Sequence, residues 1–321
     1  RCFLLVCIRV WPIQLNAQAE TPVLRIAVLK FGTVNWAMDV IKHHKLDTRN
    51  GFELEVVGLA SKNATTVAFL ARDVDAIVTD WFWVLRQRAE GNDVVQFPYS
   101  ASLGAVMVAA DGGIASLDDL KGKRIGIAGG PIDKSWLLLR AFVLARDGSD
   151  LAKAASPVYA APPLLNEQLI AGRVDAVLNF WPFAARLEGA GYRRIAGVSD
   201  LMQGLDMGVA APLVGFTFSR RLADEKPALM AGFIKAVREA NEMLDTDDVE
   251  WDRIRPLMKA KNDDEFAALK TRYKEGILMS WTREQKHAAA QLFEMLRRIG
   301  GEKLTGAGTR FDPAMFWPAE D

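Results

Sequence analysis

Short apolar runs alternate along this chain with longer stretches of helical spacing, and two of the short runs nearly repeat. Val74 to Trp81 (VDAIVTDW) and Val174 to Trp181 (VDAVLNFW) lie one hundred positions apart. Each opens with Val-Asp-Ala, continues as an apolar run too brief for a helix, and closes on a polar residue next to an aromatic. That is the pattern of a buried strand with a decorated end. A stretch of helical spacing precedes each copy (Thr66 to Ala71; Leu164 to Ile170), and an aromatic-rich helix follows, ending near Glu90-Gly91 and Glu188-Gly189. Ligands of open α/β sheets sit outside the carboxyl ends of the strands, so Asp80 and Asn179 are expected to point at the chemistry.

The remaining pattern extends this unit. Leu24 to Leu29, after Pro22, reads as a first strand, and Phe31 to Trp36 as a turn into a helix reaching about Leu46. Phe52 to Leu59 alternates as a second strand, Ser61-Lys62-Asn63 forms a loop, and Ala64 to Ala71 is the next helix. The order β-α-β-α-β predicts a parallel sheet. Val94 to Pro98 and Leu103 to Ala110 are further strands. Ser116 to Ile127 (SLDDLKGKRIGI) reads as a short capped helix and a strand that open a second lobe. Gly129-Gly130-Pro131 turns into a helix from Trp136 to Arg146, Val158-Tyr159 is a short strand, and Pro162-Pro163 break the chain. Ile195 to Val198 and Leu213 to Ser219 are strands, the second returning to the first lobe. Helices then cover Pro227 to Leu244, Val249 to Lys259, Asp263 to Tyr273 and Thr282 to Ile299, and Gly300 to Asp321 wraps the surface. The expected architecture is α/β, with each lobe a mainly parallel sheet flanked by helices. Residues 20–107 with 213–321 form the first lobe and 108–212 the second, hinged near Met107 and Leu213 to Gly215.

Half of the 321 residues are hydrophobic, ample for a real core. Lys+Arg and Asp+Glu both number 40; residues 1–19 hold Arg1 and Arg9 but no acid, which leaves 38 against 40. A balance near zero argues against nucleic acid or anionic membrane as a partner. Cys2 and Cys7 are the only cysteines, so the chain beyond them forms no disulfide and offers no thiol nucleophile or thiolate metal site. Residues 1–19 combine a basic start, an apolar middle and Ala17-Gln18-Ala19, a secretory signal pattern that Arg9 and Pro12 interrupt. No later run approaches the roughly 20 apolar residues of a membrane span, so the exported chain is expected to be soluble.

The string SLDDLKGKRIGI resembles the segment opening the second lobe of periplasmic substrate-binding proteins of ABC importers. Within that group the chain is most similar to the nitrate, sulfonate and taurine type, which includes pyrimidine-precursor binders related to thiamine biosynthesis. The resemblance runs from Leu24 to Asn241, through LRIAV, both Val-Asp-Ala strands and FSRRLADEKPAL. It implies a two-lobed periplasmic-binding fold of type II that closes on a small-molecule ligand. It also implies a periplasmic monomer that delivers this ligand to an inner-membrane ABC permease with its ATPase.

Carried over residue by residue, the resemblance places Thr33, Asn35, Trp36, Ser61, Asp80, Trp81, Asp133, Lys134, Ser135, Asn179, Phe180 and Trp181 on the cleft. Plainer roles compete. A Trp among apolar residues is usually core, above all Trp83 and Trp136. Asp80 and Asp133 also fit helix caps, and Asp75 and Asp175 fit turns at the far ends of their strands. His43-His44 lies on a charged helix with only His287 elsewhere, so no metal site and no cofactor are expected. An oxyanion ligand wants guanidinium groups or free helix N–H donors, which the turn before Trp136 can supply. Asp80, Asp133 and the indoles instead suit an amine cation or a flat nitrogen heterocycle, and the balance leans that way.

A binding component without catalysis is the expected function. The alternative is an enzyme on the same architecture. Pyrimidine-synthesising relatives carry a cysteine-rich motif and desulfinase-like relatives a cysteine nucleophile, both absent beyond residue 7, whereas chorismate-dehydratase-like enzymes need neither. Three scattered histidines give no Ser-His-Asp pattern, and Gly126 to Gly130 lacks the Lys-Ser/Thr of a phosphate loop. A periplasmic chaperone or sensor domain fits the cleft as well.

Overall fold

The computed structural model describes residues 20–278, 280–308 and 310–317, and the expected leader at 1–19 lies outside them. The apolar runs become strands whose alternate residues face two helical layers. In the first half these are β1 (Val23–Leu29), α1 (Val34–His43), α2 (Leu46–Arg49), β2 (Glu53–Leu59), α3 (Lys62–Leu70), β3 (Ala76–Asp80), α4 (Trp81–Ala89), β4 (Val94–Ser100) and β5 (Gly104–Val108). Then follow β6 (Arg124–Ala128), α5 (Lys134–Asp147), α6 (Leu151–Ala154), β7 (Ser156–Ala160), α7 (Pro162–Ile170), β8 (Ala176–Phe180), α8 (Trp181–Gly189), β9 (Arg193–Gly197), α9 (Val198–Gln203) and β10 (Val214–Ser219). The rest is helical: α10 (Arg220–Glu225), α11 (Pro227–Thr246), α12 (Asp248–Met258), α13 (Asp263–Glu275), α14 (Arg283–Gly300) and α15 (Glu302–Thr305). Pro162 and Pro163 start α7 instead of ending a segment, because the first helical turn needs no N–H donors there.

The strands form two five-stranded sheets of matching order, β2-β1-β3-β10-β4 and β7-β6-β8-β5-β9. In each, one strand donated by the other half of the chain runs antiparallel: β10 beside β3 and β4, β5 beside β8 and β9. This corrects the expected boundary. β5 pairs inside the second sheet, so the first crossing falls at 101–103, and Met107 sits mid-strand where it cannot act as a hinge. The long run ending at Val108 reads equally well as the last strand of one lobe or the first of the next. Only its partners decide.

The repeat extends to individual bonds. Asp75 accepts the Arg25 backbone N–H at 2.8 Å, and Asp175 accepts that of Arg124 at 2.8 Å. Trp81 donates its backbone N–H to Leu213 and Trp181 to Leu103, each at 3.2 Å. Both aspartates thus clamp the amino ends of neighbouring strands, away from the carboxyl ends where the turns converge.

The C-terminal helices are not an appendage of one lobe. Phe293 and Leu296 of α14 share a core with Trp81 and Phe82 of α4 and with Trp136 and Leu137 of α5. On the other side α13 lies against α8, so close that a Cβ on Gly189 would stand 2.4 Å from the Glu265 Cα. Arg186 pairs with Glu265 there, and Arg272 with Glu188 at 2.7 Å. Phe316 bridges to Gln96 and Trp317 donates to the Gln96 carbonyl, which ties the tail to β4. Among the described residues no helix is long and apolar enough to cross a membrane.

Candidate functional site

The strand-to-helix turns at the carboxyl ends of both sheets meet at Asp80. Asp80 ends β3 in an extended conformation, and its Oδ1 accepts the Trp83 N–H at 3.1 Å as the N-cap of α4. Its Oδ2 is held by Lys62 Nζ at 2.9 Å, from the first turn of α3, and by Lys134 Nζ at 3.1 Å, from the first turn of α5. Lys134 belongs to the second lobe, so this ion pair spans the two. Burial pushes the Asp80 carboxyl up, but the adjacent ammoniums of Lys134 and Lys62 outweigh it and hold the group well below the carboxylate range. Two ammoniums thus converge on one carboxylate at the point where the lobes meet, with the Asp133 carboxyl close to Lys134.

Aromatic rings form the second contact between lobes. Trp36, at the start of α1, lies edge-on to Trp181 of α8 with centroids 5.9 Å apart, and Tyr273 of α13 approaches both, at 5.4 and 6.0 Å. Trp36 is buried and Trp181 half-buried. Tyr273 and Tyr99 share a hydrogen bond of 2.7 Å behind them, and burial pushes the Tyr99 hydroxyl up to about 12. Exposed apolar side chains stand near the strand ends: Phe31 after β1, Ile132 after β6 and Tyr159 late in β7. Phe31 is the most exposed of them, at 86%.

Several expected site residues serve the turns themselves. Asn35 donates to the Leu29 and Gly32 carbonyls at 2.7 and 2.8 Å, and the Ser61 hydroxyl caps α3 through Ala64. Thr33 occupies the N-cap position of α1 without a side-chain capping bond. Asp133 caps α5 by accepting the N–H groups of Ser135 and Trp136 at 2.9 and 3.3 Å. Those donors, expected to be free for an oxyanion, are therefore spoken for, and Ser135 is buried beneath them. Burial raises the Asp133 carboxyl in spite of the adjacent Lys134 ammonium and the two N–H groups it accepts.

Two expectations need correcting. Trp81 is wholly buried, stacks on Phe82 at 4.1 Å and donates Nε1–H to the Pro212 carbonyl, so it is a core residue, as is Trp136. Asn179 is buried as well. Its Nδ2 donates to the Pro162 carbonyl at 2.9 Å and to Asn166 Oδ1 at 2.8 Å, and its Oδ1 accepts the Phe180 N–H. The residue equivalent to Asp80 is Phe180, since Asp80 pairs with Val214 and Phe180 with Gly104 at matching positions of the two sheets. Counting from the tryptophan would have shown it. One step along a strand turns a side chain to the other face.

Lys62 and Tyr273 stand outside the expected set. Lys62 adjoins Ser61 and carried a signal, being a lysine in a turn already assigned to the cleft. Tyr273 had none, because α13 reaches the site only through its packing on α8.

Two matched lobes with turns converging between them define the two-lobed α/β fold of periplasmic binding proteins. The alkanesulfonate-binding protein SsuA from Xanthomonas axonopodis pv. citri, bound to MOPS, superposes with a TM-score of 0.67 at 20% identity, covering 93% of this chain and 99% of that one. The periplasmic aliphatic sulphonate binding protein SsuA from Escherichia coli gives 0.69 at 19% identity, over 90% and 92% of the two chains. The desulfurization enzyme DSZB has the same fold at 0.57 and 16% identity, over 87% and 91%. No curated protein sequence matches the chain. The profile of the NMT1/THI5-like family matches residues 48–247, and the chain belongs to that family.

Proposed function

We propose that this chain is the extracytoplasmic solute-binding component of an ABC importer, that its ligand is a small organic anion, and that it hands this ligand to a membrane permease. The observation that carries the reading is the Lys62–Asp80–Lys134 cluster between the lobes. A carboxylate that already faces two ammoniums has little capacity left for a ligand cation, while the N–H donors of Lys62 and Lys134 beside it suit an anionic head group. This reverses the lean towards amines and heterocycles drawn from Asp80, Asp133 and the indoles, since Asp80 is taken up by lysines and Asp133 by the α5 N–H groups. Phe31, Ile132 and Tyr159 supply apolar surface for the body of such a solute. The sulfonate-binding relatives have the same fold, and their ligand class matches a head group of this kind.

The protein acts without catalysis in this reading. The ionisable groups gathered at the turns are paired with one another or cap helices, an arrangement suited to holding charge more than to moving protons. Isothermal titration of the full chain against alkanesulfonates, alkyl carboxylates, amines and pyrimidines tests the assignment. Sulfonates or carboxylates should bind, with affinity lost in Lys134→Ala. Binding of amines alone would overturn the anion assignment, and turnover of a bound solute would overturn the transport assignment.

A further inference from the structure

We propose a second site, separate from the interlobe turns: His43, His44 and Glu250 bind a divalent transition-metal ion of the Zn2+ class where α1 ends against α12. One ligand atom from each of these side chains lies within 4.8 Å of the others. Neighbouring residues of a helix diverge by about 100°. Here the helix stops at His43, and His44 already has φ −89° and ψ 6° ahead of Lys45 in the left-handed region. The two imidazoles therefore come together, with centroids 4.7 Å apart. Glu250 arrives from a distant part of the chain, in the first turn of α12, and its carboxylate is buried. Arg253 Nε donates to both its oxygens at 2.9 and 2.8 Å, which fixes its orientation as an outer-shell partner does for a ligating carboxylate.

His44 Nε2 already stands 2.6 Å from Glu250 Oε1, so a metal ion would exchange one hydrogen bond for coordination by both groups. Arg253 also pairs with Asp39, and one guanidinium between two carboxylates leaves net negative charge beside the imidazoles. The nearby Lys42 is turned to Asp47 at 2.8 Å. The carbonyl end of α1 favours a cation in addition. Two imidazoles and a carboxylate are a Zn2+ donor set, and exposed His43 leaves room for water to complete the coordination. An all-oxygen shell, which Ca2+ and Mg2+ require, is not on offer at these three side chains.

Titration of the tag-free full chain with ZnCl2 tests the site. Wild type should bind at this site with micromolar or better affinity, and His43→Ala and His44→Ala should each weaken that binding by about a hundredfold. His287→Ala, at an exposed position on α14, should leave it unchanged, and CaCl2 should give no signal. Because His43 is exposed, His43→Ala should melt like the parent without metal, so lost binding there is not lost folding. Absence of Zn2+ binding, or binding that survives both histidine substitutions, overturns the proposal.

Discussion

At the end of β3 the chain places Asp80, and at the matching point of β8 it places Phe180. One hundred residues apart, Lys62 at the start of α3 likewise answers to Pro162 at the start of α7. The backbones around them repeat down to the clamp of each Val-Asp-Ala aspartate and the N–H that each tryptophan donates across the sheet. The chemistry does not repeat. At these matching points the first lobe carries the Asp80–Lys62 pair, joined across the lobes by Lys134, and the second carries Phe180 and Pro162, so a shared scaffold presents a charged wall and an apolar one. The fold needs the parts that are the same, and what differs is free to meet a ligand. A solute with an ionic head and an apolar body matches that division.

The tryptophans give the sharpest way to break the comparison. Trp81 is a buried core residue, so Trp81→Ala should cost about 3–5 kcal/mol of stability. Trp181 is half-buried against Trp36 and Tyr273, and its loss should cost about 1–2 kcal/mol while affecting solute affinity more strongly. Urea unfolding of both variants measures the contrast. Equal losses would mean that Trp181 is core too, and that the second lobe contributes no aromatic wall.

Next in size is Asp80→Asn. Breaking a fully buried pair costs about 3–5 kcal/mol, but Lys62 keeps about half of its side chain in water, so about 2–3 kcal/mol is expected here. The folded protein holds this carboxyl below its unfolded-state value. Its contribution is therefore complete above about pH 4 and fades as pH falls below that. The variant should lose stability at neutral pH and show a flatter acid limb than wild type in melting scans. The Phe180→Leu variant, changed at the equivalent apolar position, should leave that limb untouched. A similar flattening in both would dissolve the distinction between the two walls.

Local pattern made most of the fold legible. Short apolar runs named the strands, and the Val-Asp-Ala repeat exposed the twofold plan, because both are written in neighbouring residues. The first crossing was harder to see, since β5 is apolar on both faces and its membership depends on pairing with β8 and β9. Where the lobes meet, the pattern marks Asp80, Trp36 and Trp181 by strand-end position, while Lys134 comes from the family resemblance and lies in the first turn of α5. Asn179 misled by one residue, and the period of two converts such a slip into the wrong face. Glu250 beside His44 and Tyr273 beside Trp36 have no local signature. Both depend on where the C-terminal helices dock, which sequence spacing does not encode.

The smallest expected effects lie at the far ends of the same strands, where the comparison is closest. Asp75 accepts only the backbone N–H of Arg25 and a guanidinium contact at 3.5 Å. Asp175 accepts the backbone N–H of Arg124, its Nε at 3.2 Å and its Nη2 at 2.7 Å. The Arg124 side chain holds the Asp175 carboxyl below the usual range. Both pairs are partly solvated, so Asp175→Asn and Asp75→Asn should each lower the melting temperature by about 2 °C or less, with Asp175→Asn the larger. Molar salt should erase the difference, because only the bidentate guanidinium distinguishes the two sites and screening acts on that contact. A difference that persists in salt would locate it in the backbone clamp instead, and the two lobes would then be unequal in their scaffold as well as in their walls.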